Sequence, residues 1–136
     1  MTMTKKNHHD PMERLKSDLA YWQRQLRLDH MDIKIRWFAE DEDNGDIGKM
    51  YPGDFAYQIT LAIRDPSDLP KRNMKSFAHD PEVTLLHELL HVAAMPWANN
   101  KKVEEIMEDE VIQRHFEISL DATAEALVRA RRGIIR

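Results

Sequence analysis

Asp80-Pro81-Glu82-Val83-Thr84-Leu85-Leu86-His87-Glu88-Leu89-Leu90-His91-Val92-Ala93-Ala94-Met95-Pro96 is the stretch on which the reading of the chain turns. Aspartate followed by proline is a helix N-cap with proline at the first helical position. The leucines then recur at helical spacing, and the helix is expected to stop before Pro96. On a wheel of about 100° per residue, Leu85, Leu86, Leu89, Leu90, Val92, Ala93 and Ala94 cover most of the circumference. Thr84, His87, Glu88, His91 and Met95 fill the remaining arc. An apolar arc this wide belongs to a largely buried helix. Its polar stripe carries no Lys, Arg, Asp or Gln, which a solvated face would. Buried polar groups need partners, so the stripe asks for something inside the protein to satisfy it.

His87-Glu88-Leu89-Leu90-His91 reads H-E-x-x-H. Residues four apart share a helix face, so both imidazoles reach one ion. Glu88 sits beside that ion rather than on it, placed to take a proton from a water that the metal activates. The bland alternative is a pair of surface histidines, and the wide apolar arc argues against it. The chain has no cysteine, so a third ligand must be His, Glu or Asp. The segment after Val103 offers several. Read as one helix, Val103, Ile106, Met107 and Val111 centre on one face, and Glu110 falls in its middle. A carboxylate there is costly unless paired or ligating. Glu110 is therefore the favoured third ligand, followed by Glu117, Glu108 and His115. An ion pair with Arg114 is the alternative role for Glu110.

Working outward, Asp10-Pro11 starts a first helix, with Met12, Leu15, Leu19, Trp22 and Leu26 on its core face. Met31, Ile33, Ile35 and Trp37 alternate with polar residues, as do Tyr57, Ile59, Leu61 and Ile63, and each run predicts a half-buried strand. The second strand is expected to lie antiparallel to the first. The acidic run from Glu40 to Gly48 reads as a solvated loop. It lacks the bidentate Glu at the twelfth position that a calcium loop needs, since Tyr51 stands there. Tyr51-Pro52-Gly53-Asp54 reads as a turn. The stretch from Arg64 to His79 reads as a surface connection long enough to border a functional cleft. Helices follow from about Val103, with Asp121 as cap of a separate last one. The expected class is α+β: an N-terminal helix, a small antiparallel sheet, the motif helix and C-terminal helices. Residues 1–10 form a disordered tail, with His8 and His9 in it, and 11–136 form one domain.

The chain has 136 residues, a hydrophobic fraction of 42%, a charged fraction of 32% and a net charge of -4. That composition supports a folded core without staples. Scattered Lys and Arg on a mildly acidic chain give no nucleic-acid patch. No apolar run is long enough to cross a bilayer, and residues 1–10 lack the apolar core of a secretory signal. The expectation is a cytoplasmic protein.

These features together resemble the zincin metallopeptidases, and in particular the gluzincin branch, in which a glutamate on a helix after H-E-x-x-H completes the site. The order of elements is similar too, as is the spacing from His91 to Glu110. The chain looks like a minimal version, similar to small metallopeptidase-like proteins of phage and prophage genomes. The likeness rests mostly on Ala56 to Ile63 and Leu86 to Val92. Two family patterns are missing: no G-x-x-H follows His91, and no N-E-x-x-x-D surrounds Glu110. The resemblance implies a zinc-dependent peptidase acting on peptide or protein substrates, in the host cytoplasm if phage-encoded, with Glu88 as general base and an edge strand, Ala56 to Ile63 or its neighbour, aligning the substrate. Tyr51, Tyr57, His79 and His115 are candidate donors to the transition state by chemistry alone. The alternative is an inactive zinc-bound binding or regulatory phage accessory module. An intact Glu88 speaks against it.

Overall fold

The computed structural model describes residues 10–39, 47–66, 80–98 and 101–133. The chain order is α1 (Pro11–Gln25), β1 (Asp32–Trp37), β2 (Gly48–Pro52), β3 (Gln58–Ile63), α2 (Pro81–Ala98), α3 (Lys101–Met107) and α4 (Glu110–Arg131). The class is α+β, as expected. The 1–10 tail, apart from Asp10, and the 67–79 connection lie outside the described residues, as does most of the acidic loop.

Both proline-led helices start where the sequence predicts. Asp10 accepts from the backbone N–H of Met12 and Glu13 at the head of α1. Asp80 accepts from Glu82 N–H at 3.0 Å at the head of α2. The end of α2 differs: it runs past Pro96 to Ala98. Proline so near the end removes a single backbone donor, and the helix closes two residues later.

The sheet corrects the expected antiparallel pairing. It is mixed, in the order β1-β3-β2. β1 pairs with β3 in parallel, with Ile33 opposite Ile59 and Ile35 opposite Leu61. β2 pairs with β3 antiparallel, with Met50 opposite Leu61. The residues read as loop and turn before Gly53 thus form a third strand, which inserts on the far side of β3. A hairpin from β2 into β3 reverses the chain once more, so β3 runs with β1 instead of against it. Pro52 cannot donate to a ladder, and its place on an edge strand agrees with that.

The core joins Leu15, Leu19 and Trp22 of α1, Ile33 of β1, Ile59, Leu61 and Ile63 of β3, Leu85, Leu86, Leu89 and Val92 of α2, and Ala124 and Val128 of α4. Helix α2 touches α1, α3, α4, β2 and β3. Among residues 81–94 of it, Ala93 alone is exposed. Among the described residues, no helix is long and apolar enough to cross a membrane.

Glu82 is buried near the start of α2, with 5% of its surface exposed. It accepts from Trp22 Nε1 at 2.7 Å, Arg131 at 2.6 Å and Arg132 at 2.8 Å. Arg132 also binds both oxygens of Asp80, and Arg131 reaches Asp18 at 2.8 Å. The Arg131 guanidinium lies 3.9 Å from the centre of the Tyr21 ring. This network ties the end of α4 to α1 and to the start of α2. Glu82→Ala strips two arginines and an indole N–H of their shared acceptor, and is expected to cost about 3–5 kcal/mol in denaturant unfolding.

Burial pushes the Asp80 carboxyl up, but the hydrogen bond and charge of Arg132, with two backbone N–H groups, outweigh it and hold the carboxyl below its ordinary value of 3.8. A depressed carboxylate contributes stability above its unfolded value and loses it as the pH falls through the folded one. Asp18 is raised, by burial and by the charge of Glu82 against the pull of Arg131, and it contributes with the opposite sign. Stability should therefore fall below pH 3.8 on account of Asp80, and that acid limb should shrink in Asp80→Asn when unfolding is followed by circular dichroism across pH.

Candidate metal centre

The buried face of α2 that lacks leucine meets α4. His87 and His91 point there, their side chains 16% and 25% exposed. The rings lie 5.0 Å apart, and Phe116 of α4 stands edge-on to His91 at 5.8 Å. Between the rings is the carboxylate of Glu117. Its Oε1 is 3.0 Å from His87 Nε2. His91 Nε2 is 3.3 Å from the same oxygen and 3.1 Å from Oε2.

His87, His91 and Glu117 form a group that could hold a metal ion. Its dimensions fit one. Ligand bonds of about 2.0–2.1 Å at a tetrahedral angle put neighbouring ligand atoms about 3.3 Å apart. The nitrogen-to-oxygen separations here run from 3.0 to 3.3 Å. A buried orphan points the same way. His87 Nδ1 is buried and makes no hydrogen bond in this geometry, while Asp121 Oδ1 stands 3.3 Å from it. A small rotation of the Asp121 side chain, itself 70% exposed, turns that approach into a bond. Metal-bound histidines commonly donate their second N–H to such a carboxylate, which fixes tautomer and ring angle.

Glu88 is not one of the three. It lines the same cavity of about 200 Å³, together with Ile47, Gly48, Thr84, His87, Glu117 and Asp121. Strand β2 comes very close here. A Cβ built on Gly48 would lie 2.7 Å from the Thr84 methyl and 3.1 Å from Glu88 Oε2. Glycine lets the edge strand rest on the motif helix beside Glu88.

Sequence reasoning placed His87, Glu88 and His91 together, and the structure does as well. Glu110 is not brought to them. It is the first residue of α4 and is exposed. The physical reason is a break in the helix. Asp109 is extended, with φ -73 and ψ 121, and its side chain caps α4 by accepting from Val111 and Ile112. The helical phase restarts there, so the face built from Val103 to Met107 does not continue into Glu110. Glu108 lies in the break and His115 on the outside of α4, both exposed. Asp121, expected to cap a last helix, sits within α4 instead.

Two signals that favour Glu117, the second candidate, over Glu110 and that bring in Asp121 were in the sequence. Glu117 shares a stripe with Asp121, Ala124 and Val128, four, seven and eleven residues on, and the last two are buried. Glu117 and Asp121 also meet the E-x-x-x-D spacing sought around Glu110, with Phe116 where the pattern has Asn. Of the proposed transition-state donors, Tyr51, Tyr57 and His115 do not line the cavity, and His79 lies outside the described residues. No family model, curated protein or solved structure matches this chain.

Glu117→Ala should weaken divalent-metal binding, measured by calorimetry, by more than the 10- to 100-fold typical of losing an outer partner. Asp121→Ala should fall near that range. Glu110→Ala should bind as the wild type does; if it alone lost the metal, the ligand set would be wrong.

Proposed function

We propose that this chain is a zinc-dependent peptidase in which His87, His91 and Glu117 hold the ion and Glu88 is the general base. The observation that carries the reading is the convergence of the two imidazoles and one carboxylate on a single point, with a second carboxylate in the same cavity but outside the ligand group. A purely structural metal site closes its coordination shell and has no use for an adjacent base. Two imidazoles and a carboxylate are a donor set that catalytic zinc sites use, and the H-E-x-x-H spacing on one helix supports zinc among the ions that accept it. The E-x-x-x-D spacing from Glu117 to Asp121 supports the resemblance to gluzincins.

When bound, the ion would polarise a peptide carbonyl and draw the pKa of a water toward neutrality. Glu88 takes the proton from the attacking water on its carboxylate and returns it to the leaving amine. Asp121 steadies the His87 ring through Nδ1. Gln58–Ile63 is the central strand of the sheet, so of the two strands expected the reading falls to its neighbour. β2 is the edge strand that borders the cavity, through Gly48. A substrate lying extended along β2 would come near Glu88, whose carboxylate sits beside Gly48.

The test is cleavage of a mixed peptide library by zinc-loaded protein, with zinc content measured alongside. Glu88→Gln should keep its zinc and lose turnover by about 10²-fold or more, the scale of one general base. Cleavage at the wild-type rate by that variant would remove Glu88 from the mechanism, and a wild type that binds zinc but cuts nothing would favour a binding module.

A further inference from the structure

Helix α4 has two unlike halves. Its second half anchors in the core through Ala124 and Val128. Its first half has no buried residue from Glu110 to Thr123. Val111 and Ile118, seven apart and so nearly in line, are 64% and 57% exposed. At about 100° per residue, Val111, Arg114, Ile118, Ala122, Glu125 and Arg129 fall within an arc of about 80°, a quarter turn away from the stripe that faces α2. All six are exposed. In this narrow strip Val111, Ile118 and Ala122 are interspersed with Arg114 toward one end and with Glu125 and Arg129 toward the other.

That distribution is complementary to itself. If two α4 helices lie antiparallel and cross between Ile118 and Ala122, Arg114 of each copy falls opposite Glu125 of the other. By two-fold symmetry the pair forms twice. Ile118 of each copy then meets Ala122 of the other, a large side chain against a small one. Val111 falls beside the aliphatic stem of Arg129. A parallel arrangement in register sets Arg114 against its own copy, and an antiparallel shift of one turn sets it against Ala122 in one direction and against the cation Arg129 in the other.

We propose that this face of α4 binds the same face of a second copy, making an antiparallel homodimer. The association does not depend on the metal reading, because neither Glu117 nor Asp121 takes part in it. It does bear on the site, since the half-helix that it would cover is the one carrying Glu117.

Sedimentation velocity of the full chain, from micromolar to submillimolar concentration, reads the outcome. The mass should rise from 16.0 kDa toward twice that value. Glu125→Arg should weaken association about tenfold, because two exposed pairs turn repulsive. Arg114→Glu with Glu125→Arg restores the pairing with signs exchanged, and should return to within about threefold of wild type. All of these residues are exposed, and circular dichroism checks that the variants stay folded. A wild type that remains one chain throughout overturns the proposal. So does a Glu125→Arg variant that associates like wild type, or a double variant that fails to recover.

Discussion

Helix α2 is buried on nearly every side, so each polar group it carries must be answered from within the protein. Helix α4 gives most of the answers. The two run antiparallel, and their chemistries are reversed along the contact. At the start of α2 the acids Asp80 and Glu82 meet Arg131 and Arg132 of α4. Further along, the bases His87 and His91 meet Glu117. A slip of one turn between these helices would break both sets at once, leaving a buried carboxylate and two partly buried imidazoles unsatisfied. The arginine clamp is thus a register device for the histidine site, although the two lie at opposite ends of the contact.

The third wall of the site comes from the sheet. β2 is short, begins with glycine and ends with proline, and among the described residues pairs with β3 alone. Those traits make it a poor strand on its own and a suitable edge. Its first residue presses against Thr84 and Glu88. One cavity therefore gathers Glu88, the His87 and Glu117 members of the candidate metal triad and an edge strand, from elements that sequence order keeps well apart.

What could be read beforehand followed from local rules. The caps at Asp10 and Asp80, the alternation of β1 and β3, and the apolar arc of α2 are properties of a few neighbouring residues. Those rules suffice for α1 and α2, for two of the strands and for the grouping of His87, Glu88 and His91. The misses were of another kind. β2 has too few residues and too much glycine and proline to show a period, and its pairing with β3 comes from tertiary contact. With β2 unseen, the direction of β3 relative to β1 came out reversed. The ranking of Glu110 ahead of Glu117 failed for a subtler reason. Helical arithmetic is only as good as the continuity of the helix, and Asp109 interrupts it. Counting back from the buried Ala124 and Val128, instead of forward from Val103, sets the phase that puts Glu117 inward.

That same phase explains how a half-helix with no buried residue of its own holds Glu117 in place. Glu117 lies seven residues before Ala124, about 10 Å along the axis, and further still from the Arg131 clamp. The rigid half of α4 fixes direction, and helical stiffness carries it to the exposed half. Such a support sets the line of approach of the carboxylate better than its final distance. A metal at this point would bond His87 and His91, which are fixed in the core by Leu86 and Leu89, to Glu117, which is not. Binding energy would go into drawing the free half of α4 onto α2. On this architecture metal affinity and the stability of the first half of α4 are one linked quantity.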